Sequence, residues 1–208
     1  MEKIIHNITN NKIFIYYIGG EFYMTLKTHF ETGIGLSLLL GGMLIEKIYF
    51  MDISSASKIG ILGAILIGVT AGSVYPDFDR DESNLNEKGL NLRWENKLDH
   101  RGVVHTLINA VGVALPFLLL DFMFSKVTSL DLTWIAILGL SMSVGCIWHM
   151  ILDSLTPNGI MWLYPITMHR FRIPLIKNSA TERLFRILVT GAFIYGAVFY
   201  WTLGPKLN

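Results

Sequence analysis

The chain has 208 residues, 52% of them hydrophobic and 16% charged, with a mean hydropathy of +0.48. A soluble domain carries roughly 25% charged residues, so this composition excludes an ordinary water-soluble domain and a disordered chain alike. Its 17 Lys and Arg against 16 Asp and Glu leave a net charge of +1, with no basic field for direct nucleic-acid binding, and the lone Cys146 excludes an internal disulfide.

The first 23 residues carry no positive-then-apolar signal pattern and no small-residue cleavage site. A second methionine, Met24, opens the segment MTLKTHF, and Gly19-Gly20-Glu21 upstream is encodable as GGA-GGN-GAR, the purine-rich pattern of a bacterial ribosome-binding site. Residues 1–23 are therefore read as an extension from a misplaced start, and residues 24–208 as a single membrane-embedded domain. Crossing a bilayer takes about 20 mostly apolar residues per helix. Phe30 to Ile45 is a short run that stops at Glu46-Lys47. Ile59 to Tyr75 is uncharged and ends at Pro76. A long polar loop, Asp77 to Arg101, follows. Val103 to Phe124 carries His105 near its start, and Leu132 to Leu152 carries His149 near its end. A second loop, Asp153 to Arg183, holds Pro157, Pro165 and Pro174, which break helices. Leu184 to Leu203 has only Arg186, placed to snorkel. The expected fold is an all-α integral membrane protein, a bundle of four to five transmembrane helices with two cytoplasmic loops. Lys and Arg concentrate on the face that carries the N-terminal segment and the two long loops, which puts that face in the cytoplasm and the protein in the plasma membrane.

On that topology His29 precedes the first span. Asp77 and Asp79 close the second, His100 and His105 open the third, and His149 and Asp153 close the fourth. Odd spans begin and even spans end on the same side, so all seven residues fall at one mouth of the bundle. His149 and Asp153 stand at i,i+4 and share a helix face. His100 and His105 are five apart, so at least one must precede the helix proper if both are to face the site. His with Asp is a ligand set for zinc and similar divalent ions. Seven donors exceed the four of one structural zinc, so a centre of two or more ions would use them. Each piece alone has a plain reading: HxxxD arises by chance, and single His or Asp residues cap helix ends. The joint pattern carries the metal reading. Asp79 is the candidate general base, and Arg101, beside His100, the candidate clamp for an anionic group. Arg170 and Arg172, next to the membrane, read either as binders of lipid phosphates or, the plainer reading, as ordinary cytoplasmic-side cations. Ser83 and Thr156 are either hydrogen-bond partners of the ligands or turn residues, and His169 reads as interfacial.

Thr28-His29, Pro76-Asp77-Phe78-Asp79, Ser83, His100-Arg101-Gly102-Val103-Val104-His105-Thr106 and His149 through Gly159 together resemble, in order, the motifs of the YdjM-like family. The resemblance covers about Met24 to Arg172. Two positions depart mildly: Val74-Tyr75 stands where the family has Leu-Leu, and Thr106 where it commonly has Ser. The family is described as membrane-bound, metal-dependent hydrolases. The resemblance therefore implies hydrolysis by metal-activated water, with zinc, manganese or iron as the ion. The motif order is also similar to that of soluble zinc-dependent phospholipases C. With the depth of the site, this suggests membrane lipids as partners and a lipid or phosphoester as substrate. The alternatives are a non-catalytic metal-binding or interaction protein and a metal-ion transporter. A transporter should carry polar residues through the midplane, whereas Ile61 to Val69 and Leu132 to Leu140 are almost wholly apolar.

Overall fold

The computed structural model describes residues 24–79, 103–128 and 132–202, apart from the side chains of 78 and 79. Residues 1–23, Ser83, His100 and Arg101 lie outside the described residues, as does the side chain of Asp79. The described chain is helical, with one isolated bridge between Ile160 and Phe171. The helices are α1 (Leu26–Phe50), α2 (Ser55–Val74), α3 (Leu107–Gly112), α4 (Leu115–Val127), α5 (Thr133–Ser154) and α6 (Ser179–Thr202). Two 3-10 turns, Tyr75–Asp79 and Val103–His105, extend α2 and precede α3. Taking α3 and α4 together, five segments among the described residues are long and apolar enough to cross a membrane.

The first of these is longer than hydropathy suggests. Glu46 and Lys47 do not end α1; they sit in its last turns, Lys47 outward, and the helix runs 25 residues. At 1.5 Å per residue that is roughly 37 Å, more than the hydrocarbon core needs. The third span is interrupted where the sequence reads as one run. Pro116 lies at the start of α4 and has no N–H to give, so the chain tightens at Val113-Ala114 before the helix resumes. The last helix starts at Ser179, a turn earlier than its apolar run. Asn178 Oδ1 accepts from the backbone N–H groups of Ala180 (3.1 Å) and Thr181 (2.9 Å) and caps the first turn.

The helices meet through small residues. α2 packs along α5, and α1 lies against α2 and α6. A Cβ on Gly72 would lie 2.1 Å from the Met142 carbonyl oxygen, and one on Gly145 2.2 Å from that of Val69. A Cβ on Gly33 of α1 would meet Ser73 Oγ at 2.0 Å. Where the hydrophobic effect does not drive helices together, such close backbone approach supplies the packing. Ile48, Ile61, Ile65 and Val69 fill the half of the bundle away from the histidines. Ala110, Cys146, Met150 and Ile160 form a second cluster, and Met24, Leu152 and Ile176 a third. The outer faces of α4 and α6 present Leu119, Phe122, Met123, Ile187, Leu188 and Tyr195, the surface a bilayer covers.

Candidate metal centre

Four helix ends and turns bring the site together. His29 stands in the first turn of α1. Pro76 ends α2, and the turn that follows carries Asp77 inward. His105 closes the turn before α3, so it does precede the helix proper. That turn is clamped. Thr106 Oγ1 donates to the Val103 carbonyl (2.7 Å) and accepts from Asn109 N (3.2 Å), while Asn109 Nδ2 donates to the Val104 carbonyl (2.9 Å). His149 and Asp153 occupy successive turns of α5. All five residues are buried.

The histidines present their Nε2 atoms to the same two carboxylates. His29 Nε2 lies 3.4 Å from Asp153 Oδ1 and 3.8 Å from Asp77 Oδ2. His105 Nε2 lies 3.8 Å from Asp77 Oδ1 and 3.9 Å from Asp153 Oδ2. His149 Nε2 lies 3.8 Å and 3.7 Å from the same two oxygens. The His29 and His149 rings stack with centroids 3.8 Å apart, and the His105 ring tilts against His149 at 5.1 Å. His149 Nδ1 lies 2.8 Å from the Ser73 carbonyl oxygen. A carbonyl only accepts, so Nδ1 carries the hydrogen and Nε2 of the neutral ring offers a lone pair to the centre.

The spacing fits a cation. These separations exceed the roughly 3.2 Å limit of good hydrogen bonds. Neither Nε2 of His29 nor Nε2 of His149 has a hydrogen-bond partner among the described residues. Bonds of about 2.0–2.2 Å to an ion set tetrahedral ligand atoms about 3.3–3.6 Å apart, close to the 3.4–3.9 Å found here. The donors form two overlapping groups, His29–Asp77–His149 and His105–His149–Asp153, each with atoms within 4.8 Å of one another, and these could hold a metal ion. Of the seven residues expected at the mouth, five therefore converge; His100 and the side chain of Asp79 lie outside the described residues.

Two other residues read from the sequence lie outside the cluster or border it. His169 is exposed, outside the cluster. Thr156 is buried and donates its hydroxyl to the Asp153 carbonyl at 2.8 Å, fastening the end of α5. Sequence reasoning missed Ser73 and Glu182. Ser73 acts through its backbone, which no side-chain motif reveals. Glu182, in the first turn of α6, is buried and accepts from Thr25 N (2.8 Å), Thr25 Oγ1 (2.6 Å) and Thr28 Oγ1 (2.5 Å), beside His29. Arg186 Nε reaches Glu31 Oε2 at 3.0 Å, one turn on. An acid opening a transmembrane helix was the available signal for Glu182.

The protein-family profile described as "YdjM inner membrane protein" matches residues 24–205. The chain belongs to this family. Over 129 residues it is 31% identical to the inner membrane protein YdjM of Escherichia coli (strain K12), and equally to that of Shigella flexneri. The matched stretch is 59% of this chain and spans 59% of the length of each relative. No solved structure matches the chain. Membership of the YdjM family and five apolar helices make this a multi-pass membrane protein.

Proposed function

We propose that this YdjM-family chain is a membrane-bound, metal-dependent hydrolase whose centre faces the cytoplasm and acts on a lipid-borne phosphoester. The convergence of three buried histidine Nε2 atoms on Asp77 and Asp153 carries this reading. Ligands would be drawn from His29, Asp77, His105, His149 and Asp153; imidazole and carboxylate both suit zinc, and a catalytic zinc keeps a position open for water. A bound divalent ion supplies Lewis-acid activation of water and polarises a phosphoryl or carbonyl oxygen. The remaining steps belong to the chain. The Ser73 carbonyl fixes the His149 tautomer, as partners behind metal-ligating histidines do. His149 thereby has one nitrogen left for the centre and would serve a single ion. Asp79, two residues after Asp77, is assigned as general base. Arg101, just ahead of the Val103–His105 turn, is assigned as the clamp on the phosphoryl group. The site lies at the ends of four spans, which favours a substrate at headgroup depth, and the excess of Lys and Arg on that side supports a cytoplasmic orientation.

The deciding experiment is the metal content of the detergent-purified protein beside a His149→Ala/Asp153→Ala double variant. One or more equivalents of zinc, manganese or iron in the parent, lost in the variant, is the expected result. A parent that stays metal-free after reconstitution overturns the reading. The complete burial of the three histidines favours one second reading, a structural metal site in an interaction protein. A metal-loaded protein that turns over no phosphomonoester or phosphodiester lipid would decide for it.

A further inference from the structure

The segment joining α5 to α6 is unlike a water-exposed loop. Between Asp153 and Glu182 it has no acidic residue, but it carries Arg170, Arg172 and Lys177 beside His169. It also exposes large apolar side chains: Ile166 is 80% exposed, Met168 75% and Leu175 64%, with Leu163, Phe171 and Ile173 about half exposed. These groups are held in place. Ile160 and Phe171 exchange both backbone hydrogen bonds, at 3.1 and 2.9 Å. The backbone N–H of Ile173 donates to the Ser154 carbonyl (2.7 Å), and those of Leu175 and Ile176 to the Leu155 carbonyl (3.1 and 3.0 Å). Gly159 makes the turn at φ +59°, and a Cβ there would strike the Phe171 carbonyl oxygen at 2.4 Å. Ile176 is buried against Met24 and Leu152. Trp162, Leu163, Thr167, His169 and Phe171 line an apolar cavity of about 380 Å³. The segment is thus a fixed, cationic, apolar-faced strap on the same end of the bundle as the histidine cluster.

We infer that this strap is a docking surface for anionic phospholipid of the leaflet on that side. Its cavity takes acyl-chain methylenes, and Arg172, Lys177 and His169 meet the headgroup phosphate. Three observations select lipid. Every charge on the strap has one sign, complementary to anionic headgroups. Its apolar side chains alternate with cations along Phe171-Arg172-Ile173, the pattern of a segment lying in the interface. Its exposed apolar surface leads into Leu184, Ile187 and Leu188, the outward face of a membrane span. The inference stands apart from the metal reading and extends it, since a lipid so bound lies beside the mouth of the centre.

The full chain in nanodiscs of phosphatidylglycerol or phosphatidylcholine tests it. Cys146, 1% exposed, is shielded from labelling, so spin labels go on Ile166→Cys and Met168→Cys. Collision with lipid-soluble oxygen exceeding collision with an aqueous nickel complex is expected at both positions. Native mass spectrometry should find phosphatidylglycerol retained over phosphatidylcholine. A Arg170→Gln/Arg172→Gln/Lys177→Gln variant should lose about ten-fold or more of that preference, with metal content unchanged. Labels open to nickel, an unchanged lipid preference, or labels shielded from both probes in a self-associated protein would each overturn the inference. A loss of metal in the parent with the lipid preference intact would count against the hydrolase reading alone.

Discussion

His149 answers to two demands at once. Its Nδ1 faces the Ser73 carbonyl on α2, its Nε2 faces Asp77 and Asp153, and its ring stacks on His29. The ring cannot turn to satisfy one side without losing another, so His29 and His149 hold each other's direction. With Nδ1 committed to Ser73, a neutral His149 ring points its Nε2 lone pair at two carboxylates, which repel it unless a cation or proton lies between them. That argues for His29→Ala as the cleanest single test. The substitution removes one donor and one stacking face but leaves the α5 pair and the Ser73 contact intact. Zinc affinity should fall by at least about ten-fold, the lower end of what even indirect partners of metal ligands contribute. Competitive titration with a chromophoric chelator measures it, and an unchanged affinity would remove His29 from the ligand set. The residue types at the mouth were legible because a membrane topology sorts helix ends by parity, and a ligand-bearing pattern at i,i+4 names a helix face. The Ser73 carbonyl was not legible, because a backbone acceptor leaves no mark on composition.

At the scale of the helix, position depends on what lies opposite. The α2–α5 seam that sets Asp77 against His149 admits no side chain at Gly72 or Gly145. Gly72→Ala and Gly145→Ala should each destabilise by about 2 kcal/mol or more, the cost of forcing a methyl into a filled seam. Gly63, on the same helix, has nothing within 4 Å of its would-be Cβ. Gly63→Ala should therefore stabilise by up to about 1 kcal/mol through backbone entropy. Thermal unfolding in detergent separates the two, and equal effects would mean the seam is looser than drawn. The α1–α6 contact carries a second device. Glu182 receives an N–H and two hydroxyls from the start of α1, one residue from His29. Glu182→Ala should cost about 2–3 kcal/mol by leaving buried donors unmet, and Glu182→Gln about 1 kcal/mol, since its amide oxygen still accepts. The Ala variant should also lower zinc affinity where Gln preserves it, a split that a loss of stability alone would not produce. Hydropathy found each span's apolar middle but misjudged ends. Phe30–Ile45 and Leu184–Leu203 became Leu26–Phe50 and Ser179–Thr202 because capping turns are polar. The break ahead of Pro116 was missed by hydropathy, which does not weigh the lost N–H of a proline.

Across the whole molecule, the half of the bundle away from the histidines is cemented by aliphatic packing, while the end with the histidines joins four spans through buried polar groups. Those groups are worth keeping together only if something satisfies them jointly. Two buried carboxylates near each other raise the free energy of the folded state unless positive charge is shared between them. An ion bound to the folded chain and not to the unfolded one stabilises it by RT ln(1 + [L]/Kd), about 2.7 kcal/mol at one hundred times Kd. For a chain of this size about 1 kcal/mol moves the midpoint by about 2–4 °C. Stripping the ion with a strong chelator should therefore lower the melting midpoint in detergent by about 5–10 °C, and returning zinc should restore it. The His149→Ala/Asp153→Ala variant should melt at a midpoint that neither treatment moves. The comparison is sharper than either melt alone, because the variant has lost both the ligands and the paired burial of Asp77 with Asp153. A parent insensitive to chelation, with the variant less stable under every condition, would make the cluster an ordinary polar core.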